Sequence, residues 1–328
     1  MSDNLQWEAR PEGGGRLPIR AIGWMARNAG RGLTRLLLYP ITLYFLLVRG
    51  VERRASRDYL ARLQGQPASL LQAARHVHCF ASTILDRVFM LSGRMDLFQI
   101  RTEGLDALHA ELAKGSGVLV FGAHLGSFDA LRALGRERPD IQIRVLLDVS
   151  HNAAITEVMA ELDPTLAAGI IDAGQDGTAI VLAIAQALEQ GALVALLVDR
   201  ARPGEMAIEV PLLGTPAPLP AAPWLIASTL KVPVMLAFGL YEGGNRYRMV
   251  FEPFADAIDI PRRQRAQVLP QLIGRYAGRL EHHLRQLPYN WFNFYDFWQV
   301  QGPPPRVEAG PAEPVGQPAR LVARAARA

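Results

Sequence analysis

The sequence predicts a single α/β domain, a mostly parallel mixed sheet covered by helices, preceded by an N-terminal membrane-associating helix. Three observations predict it. Half of the 328 residues are apolar and 20% are charged, which suits a buried core and excludes a disordered chain. Short apolar runs, GVLVFGAH (117–124), IQIRVLLD (141–148) and ALVALLVD (192–199), alternate with helical stretches, as in parallel sheets covered on both faces. A further apolar run, LLLYPITLYFLLV (36–48), lies between Arg27, Arg31 and Arg35 on one side and Arg49, Arg53 and Arg54 on the other.

In chain order, residues 1–19 read as a flexible N-terminus, polar and Gly-rich, without the apolar core and cleavage site of a signal peptide. Residues 20–57 form the membrane-associating helix. Its thirteen uncharged residues are short of the roughly 20 that a span needs, and Pro40 interrupts them, so an interfacial or partly inserted anchor fits better. A buried core helix with charged ends is the alternative. The main domain covers 58–301. It opens with helical periodicity through 58–113 and continues with strand and helix in alternation. SFDALRALGRER, NAAITEVMAEL and GTAIVLAIAQALEQG read as helices. VPVMLAFGLYEGGNRYRMVFEPF reads as an antiparallel hairpin about Gly-Gly-Asn. Pro270 should break or start the helix after it. Residues 302–328 read as a disordered basic tail.

Charge and cysteine content narrow the function. The net charge of +4 resides at the ends: residues 1–60 hold ten Arg against five Asp and Glu, and the tail from Gly302 holds four against two. That distribution suits an anionic membrane surface or an acidic carrier, and not a nucleic-acid track. Cys79, the lone cysteine, can neither close an internal bridge nor complete a metal cage, so no metal and no cofactor is expected. His76 and His78 beside it lack a fourth ligand at suitable spacing, and His282 and His283 read as solvated.

The sharpest chemical feature is His124 with Asp129 in AHLGSFDA, where an apolar strand runs into a helix. Residues five apart on one helix point about 140° away from each other, but a strand-to-helix turn removes that obstacle. Gly126 lets the backbone turn, Ser127 caps the helix, and Asp129 folds back to hold the imidazole. A carboxylate on one ring nitrogen makes the other a general base, and the amides of the helix start are placed to receive an oxyanion. A packed core histidine is the competing reading of His124.

This segment resembles the HxxxxD signature of the glycerolipid-type acyltransferases. Within them the chain resembles the lipid A biosynthesis (lauroyl or myristoyl) acyltransferase family, over roughly residues 20 to 300. The resemblance includes the N-terminal apolar helix, GVLVFGAHLGSFDA, VALLVDR, EVPLLGTPAPLP followed by KVPVML, and a tryptophan-bearing C-terminal segment. It implies an O-acyltransferase that moves a fatty acyl group from acyl carrier protein, or coenzyme A, to a hydroxyl of a membrane glycolipid such as a lipid A precursor. The place of work would be the cytoplasmic face of a bacterial inner membrane. His124 and Asp129 would be catalytic. Asp199 matches the family's second acidic position, implied to place the acceptor. Gly126, Ser127, Arg200 and Arg202 would bind donor or acceptor, with Arg132, Arg136 and Arg138 on the same Arg-rich surface. His151 is a weaker site candidate. Leu212 and Leu213 of the Pro-rich stretch, with Trp291 and Phe294, would line the acyl chain, although core packing explains them equally well.

The chain departs from the family pattern in two places. It has Asp129 where many members carry glutamate, and DAGQDGTAI (172–180) where they carry an arginine. Its segment 291–298 holds six aromatic residues in eight, which resembles the branch associated with aryl polyene pathways. Two further readings compete with transfer: a thioester hydrolase using water in the same chemistry, and a non-catalytic lipid-binding protein.

Overall fold

A computed structural model describes residues 30–131, 141–149, 153–202 and 204–298. The expected flexible N-terminus and basic tail, with Arg132, Arg136, Arg138 and His151, lie outside the described residues.

The chain opens with an apolar helix, α1 (Gly30–Val48), 19 residues long and mostly exposed, long and apolar enough to cross a membrane by length and composition. It exceeds the uncharged run because Arg31 and Arg35 are folded into it. Arg31 grips the buried carboxylate of Asp86 with Nε and Nη2 at 2.8 and 2.9 Å, and Tyr247 Oη donates to the same carboxylate at 2.8 Å. α1 then runs along α3, where Thr42 meets His78 at 3.3 Å and Tyr39 lies against the same ring. After α2 (Gly50–Gln64), α3 (Leu70–Leu91) starts on a capping box: Gln72 N donates to Ser69 Oγ, and Ser69 N donates to Gln72 Oε1.

One strand interrupts the expected helical stretch, β1 (Gln99–Glu103), before α4 (Leu105–Leu112). The central strand β2 (Val118–Gly122) follows, then a 3₁₀ turn (Phe128–Leu131) where the sequence suggests the start of a helix. Next come β3 (Ile143–Leu147), α5 (Ala153–Leu162), α6 (Pro164–Ala168), a short β4 (Ile170–Asp172), α7 (Gly177–Glu189) and β5 (Leu193–Leu197). The Pro-rich stretch folds as a two-stranded ribbon, β6 (Ala207–Leu212) and β7 (Thr215–Pro220). Its turn places Leu213 and Gly214 at φ +53° and +76°, the pair of positive values that matches strand twist in a tight hairpin. The chain ends in α8 (Ala222–Leu230), the hairpin β8 (Val234–Gly243) and β9 (Arg246–Ala255), and α9 (Arg265–Gln286). Pro270 lies inside α9, contrary to expectation. Burial of Leu269, Ile273, Tyr276, Ala277, Leu280 and Leu284 along one face outweighs the hydrogen bond that proline cannot donate.

The seven-stranded sheet has the order β1-β9-β8-β2-β5-β3-β4, antiparallel only between β8 and β9. Every residue of β2 is buried, with Leu119 and Phe121 facing one core and Val118 and Val120 the other. The first core lies under α2, α7, α8 and α9; the second lies under α3 and α4. Phe121 meets the fully buried Trp224 edge-on at 5.0 Å.

His76 of α3 joins three elements while wholly buried. It accepts from Ser56 Oγ of α2 at 2.9 Å through Nδ1, and donates through Nε2 to the carbonyl of Trp291 at 2.8 Å. Burial lowers its pKa to about 4 against the bond to Trp291, so the folded protein keeps this ring neutral.

Two outcomes follow from this packing. Phe121→Ala should cost about 3–5 kcal/mol in a denaturant titration, the usual loss for an aromatic deleted from a packed core; a cost under about 1 kcal/mol would contradict the placement of β2. The unfolded chain protonates His76 near pH 6.5 and the folded chain only near 4, so the unfolded state binds more protons between those values. Stability should therefore fall as pH drops from 6.5 to 4, by about 3 kcal/mol from this group. His76→Gln should flatten that slope, and an unchanged slope would refute the account.

Candidate active site

Strand register builds the site. β2 and β5 are parallel, with Val118 opposite Leu193 and Gly122 opposite Leu197. His124 and Asp199 each lie two residues beyond those strands, so the same offset sets them side by side at the carboxyl edge of the sheet, where open α/β sheets bind ligands. His124 Nδ1 and Asp199 Oδ1 are 2.7 Å apart, and the His124 amide donates to Oδ2 at 3.1 Å.

Asp199 is completely buried and its carboxylate is surrounded by donors. Besides the two from His124, Trp291 Nε1 donates at 2.9 Å and Asn293 Nδ2 at 3.3 Å. Burial alone would raise its pKa. The charge and hydrogen bond of His124, the charge of Arg200 and the Trp291 bond outweigh this and hold it well below the usual carboxylate range. An ionised carboxylate only accepts, so the proton between the two groups sits on Nδ1.

That leaves Nε2 of His124 with its lone pair, and no described residue is hydrogen-bonded to it. The side chain keeps 29% of its surface open, so this edge is reachable. Burial lowers the pKa of the ring, the charge of Arg200 lowers it further, Asp199 raises it, and Arg87 lowers it; the net is a lowered value. The imidazole is therefore neutral at neutral pH, as a base must be before it accepts a proton.

Asp129 does not hold the ring as the sequence suggests. Its Oδ2 accepts from Arg87 Nε of α3 at 2.6 Å and from Ser127 Oγ at 3.4 Å. The reason is the path of the loop between them. Gly126 has φ +68°, and a Cβ there would lie 2.0 Å from the carbonyl of Gly239, so the turn requires glycine. Gly126 N donates to Asn290 O, and Ser127 N donates to Gly239 O, both at 2.7 Å. Those bonds pin the loop to β8 and to the C-terminal segment and turn Asp129 toward α3. They also occupy two amides that the sequence reading offers to an oxyanion. Ser127, expected as a helix cap, instead directs its hydroxyl to Asp129.

The aromatic segment closes the other side. Trp291 bridges antiparallel to Leu125, and Phe292 N donates to His124 O at 2.9 Å, so the segment is tied to the loop carrying His124. Phe294 packs on His76 and Phe80, with ring centres 4.7 and 5.2 Å away. Arg200 is tied into this segment through Asn293 Oδ1 at 2.5 Å, Phe292 O at 2.8 Å and the Tyr295 ring. Arg202 lies nearer the rim, paired with Asp148 at 3.1 Å and with Ala173 O. Leu212 and Leu213 are buried at the tip of the ribbon, where Leu213 N donates to Glu281 of α9. His283, expected in solvent, is 3% exposed and bonded to Glu252 at 2.8 Å, because α9 turns it toward the sheet.

Sequence reasoning missed Arg87, Asn290 and Asn293. Only the pairing of two strand-end polar residues, His124 and Asp199, carried a usable signal, and it needed the register. Among the described residues, no three His, Cys, Asp or Glu side chains are grouped to hold a metal ion.

No curated protein matches the chain. The model of one family, described as bacterial lipid A biosynthesis acyltransferase, matches residues 80–299 and so includes His124, Asp199, Arg87 and the whole aromatic segment. A match across two thirds of the chain places this protein in the bacterial lipid A biosynthesis acyltransferase family, as an acyltransferase of lipid A-type substrates.

Proposed function

We propose that the chain transfers a fatty acyl group from a thioester, that of acyl carrier protein, to a hydroxyl of a membrane glycolipid, with His124 as general base and Asp199 as its orienting carboxylate. The observation that carries this reading is the partly exposed imidazole of His124, bonded through Nδ1 to the buried carboxylate of Asp199 at the carboxyl edge of the sheet. Nε2 takes the proton of the acceptor hydroxyl as its oxygen attacks the thioester carbonyl. The tetrahedral intermediate then collapses, the carbon–sulfur bond breaks, and the thiolate leaves and recovers the proton from the imidazolium. Asp199 stabilises the imidazolium between those steps.

Membrane placement is supported by α1, whose Leu33, Leu36, Tyr39, Leu43, Tyr44, Leu47 and Val48 are exposed, with Val51, Leu70 and Leu71 beyond them. Because α1 packs lengthwise on α3, its open face suits an interfacial or partly inserted anchor, here assigned to the cytoplasmic face of the inner membrane. The aromatic residues that suggest an aryl polyene branch pack on His76, Asp199 and one another, so a lipid A-type glycolipid is the preferred acceptor.

The test is acyl transfer by the full chain in detergent or vesicles, with glycolipid acceptor and either thioester donor. His124→Ala should lower kcat by at least about 10³-fold in a folded protein, and Asp199→Asn by about 10²-fold or more, with its acid limb moved to lower pH because the carboxylate raises the ring's proton affinity. Wild-type turnover by folded His124→Ala would sink the base assignment. Rapid release of free fatty acid without acceptor would favour the hydrolase.

A further inference from the structure

On the acyl-transfer reading above, we propose that Asn290 is a positioning residue. Its carboxamide stands in for a strand on the edge of β8, and so sets the register of the segment that touches both His124 and Asp199.

β2 pairs with β8 over Leu119 to Phe121 against Val234 to Leu236, while β8 runs on to Gly243. The edge beyond that pairing is taken up from two other parts of the chain. At Gly239 the loop of His124 fills it: Gly126 makes a parallel bridge there, and Ser127 N donates to Gly239 O at 2.7 Å. Tyr241 lies two residues further along, so its peptide groups face the same edge. Asn290 meets them with its side chain. Oδ1 accepts from Tyr241 N at 2.7 Å and Nδ2 donates to Tyr241 O at 3.1 Å, the pair of bonds that a neighbouring peptide would make. A carboxamide supplies that acceptor and donor together, and its Nδ2 also lies 3.8 Å from Cys79 Sγ of α3. Burial pushes this thiol up to about 12, so it stays neutral beside the amide. Asn290 is itself buried, and a Cβ on Gly126 would lie 3.0 Å from its Oδ1, so the side chain packs directly against the turn.

The same short segment reaches the reacting pair. Asn290 O accepts from Gly126 N at 2.7 Å, Phe292 N donates to His124 O at 2.9 Å, and Trp291 Nε1 donates to Asp199 Oδ2 at 2.9 Å. One side chain fastened to β8 thus sets where the loop of His124 and the indole on Asp199 lie. Asn290 takes no proton and no charge in the reaction. Its contribution is to hold Nε2 of His124 where the acceptor hydroxyl attacks, and small displacements there are costly.

The test uses the full chain in detergent, with acyl transfer from acyl carrier protein thioester to glycolipid and melting curves as the folding control. Below its melting onset, Asn290→Ala should lower kcat about 10²-fold with KM changed less than about threefold, the size expected when reacting groups move by about 1 Å. Asn290→Asp separates positioning from stability. Its carboxylate still accepts from Tyr241 N but turns an acceptor toward Tyr241 O; on protonation that oxygen becomes a donor and the pair of bonds returns. Burial raises the pKa of such a carboxyl, so kcat relative to wild type should climb as pH falls from about 8 to about 6 in fully folded protein. A purely structural asparagine would move the melting temperature with pH and leave the kcat of the folded protein unchanged. If Asn290→Ala fails to fold, Asn290→Asp carries the test: recovery toward acid supports the assignment, and a pH-independent ratio overturns it. A folded Asn290→Ala with kcat within about threefold of wild type also overturns it. Loss of activity in His124→Ala with wild-type kcat in folded Asn290→Ala removes this inference alone, whereas an active His124→Ala removes the underlying reading.

Discussion

A carboxylate taken out of water governs the cleft. Asp199 has no exposed surface, and an ion in that position is tolerated only when its oxygens are met by donors from every side. Four donors meet it, from the backbone and ring of His124, from Trp291 and from Asn293. Together they constrain three parts of the molecule: the β2–β5 register, the loop after β2, and the aromatic segment that returns from α9. The segment's aromatic content is explained by this duty. It seals the acid from solvent, supplies two of the donors, and ties down Arg200, the adjacent positive charge that helps to keep the acid ionised.

The second organising element is α3. Along its length His76 carries the Trp291 carbonyl, Phe80 packs on Phe292 and Phe294, Asp86 holds α1, and Arg87 holds Asp129. One helix therefore touches the exposed apolar helix α1, the loop of His124 and the segment behind Asp199. The short motif after β2 is held between these supports, with Gly126 and Gly239 in backbone contact because neither carries a Cβ.

Much of this was legible in the residues. The apolar runs named β2, β3, β5 and the β8–β9 hairpin, and AHLGSFDA named the loop that carries His124 at the edge of the sheet. β1 was hidden although Ile100 and Thr102 alternate with exposed neighbours, because five residues of period two are lost between long helices. The β6–β7 ribbon was masked by its prolines. Pro216, Pro218 and Pro220 fall at alternate positions of a two-stranded ribbon, where a missing N–H can face outward. The partner of His124 was misassigned for a simpler reason: a neighbour five residues away looks nearer than one 75 residues away, until two parallel strands bring the distant one alongside.

The lock between Arg31 and Asp86 has a practical corollary. Trimming the greasy leader to obtain an easily handled enzyme removes a counter-ion along with the leash, and strands an anion in the protein interior with a single phenol for company. Breaking a buried pair in this one-sided way typically costs about 3–5 kcal/mol, a large part of what holds a domain folded. The neighbouring residue on that helical turn is Arg87, so the damage would begin one step along the chain from the contact that holds Asp129.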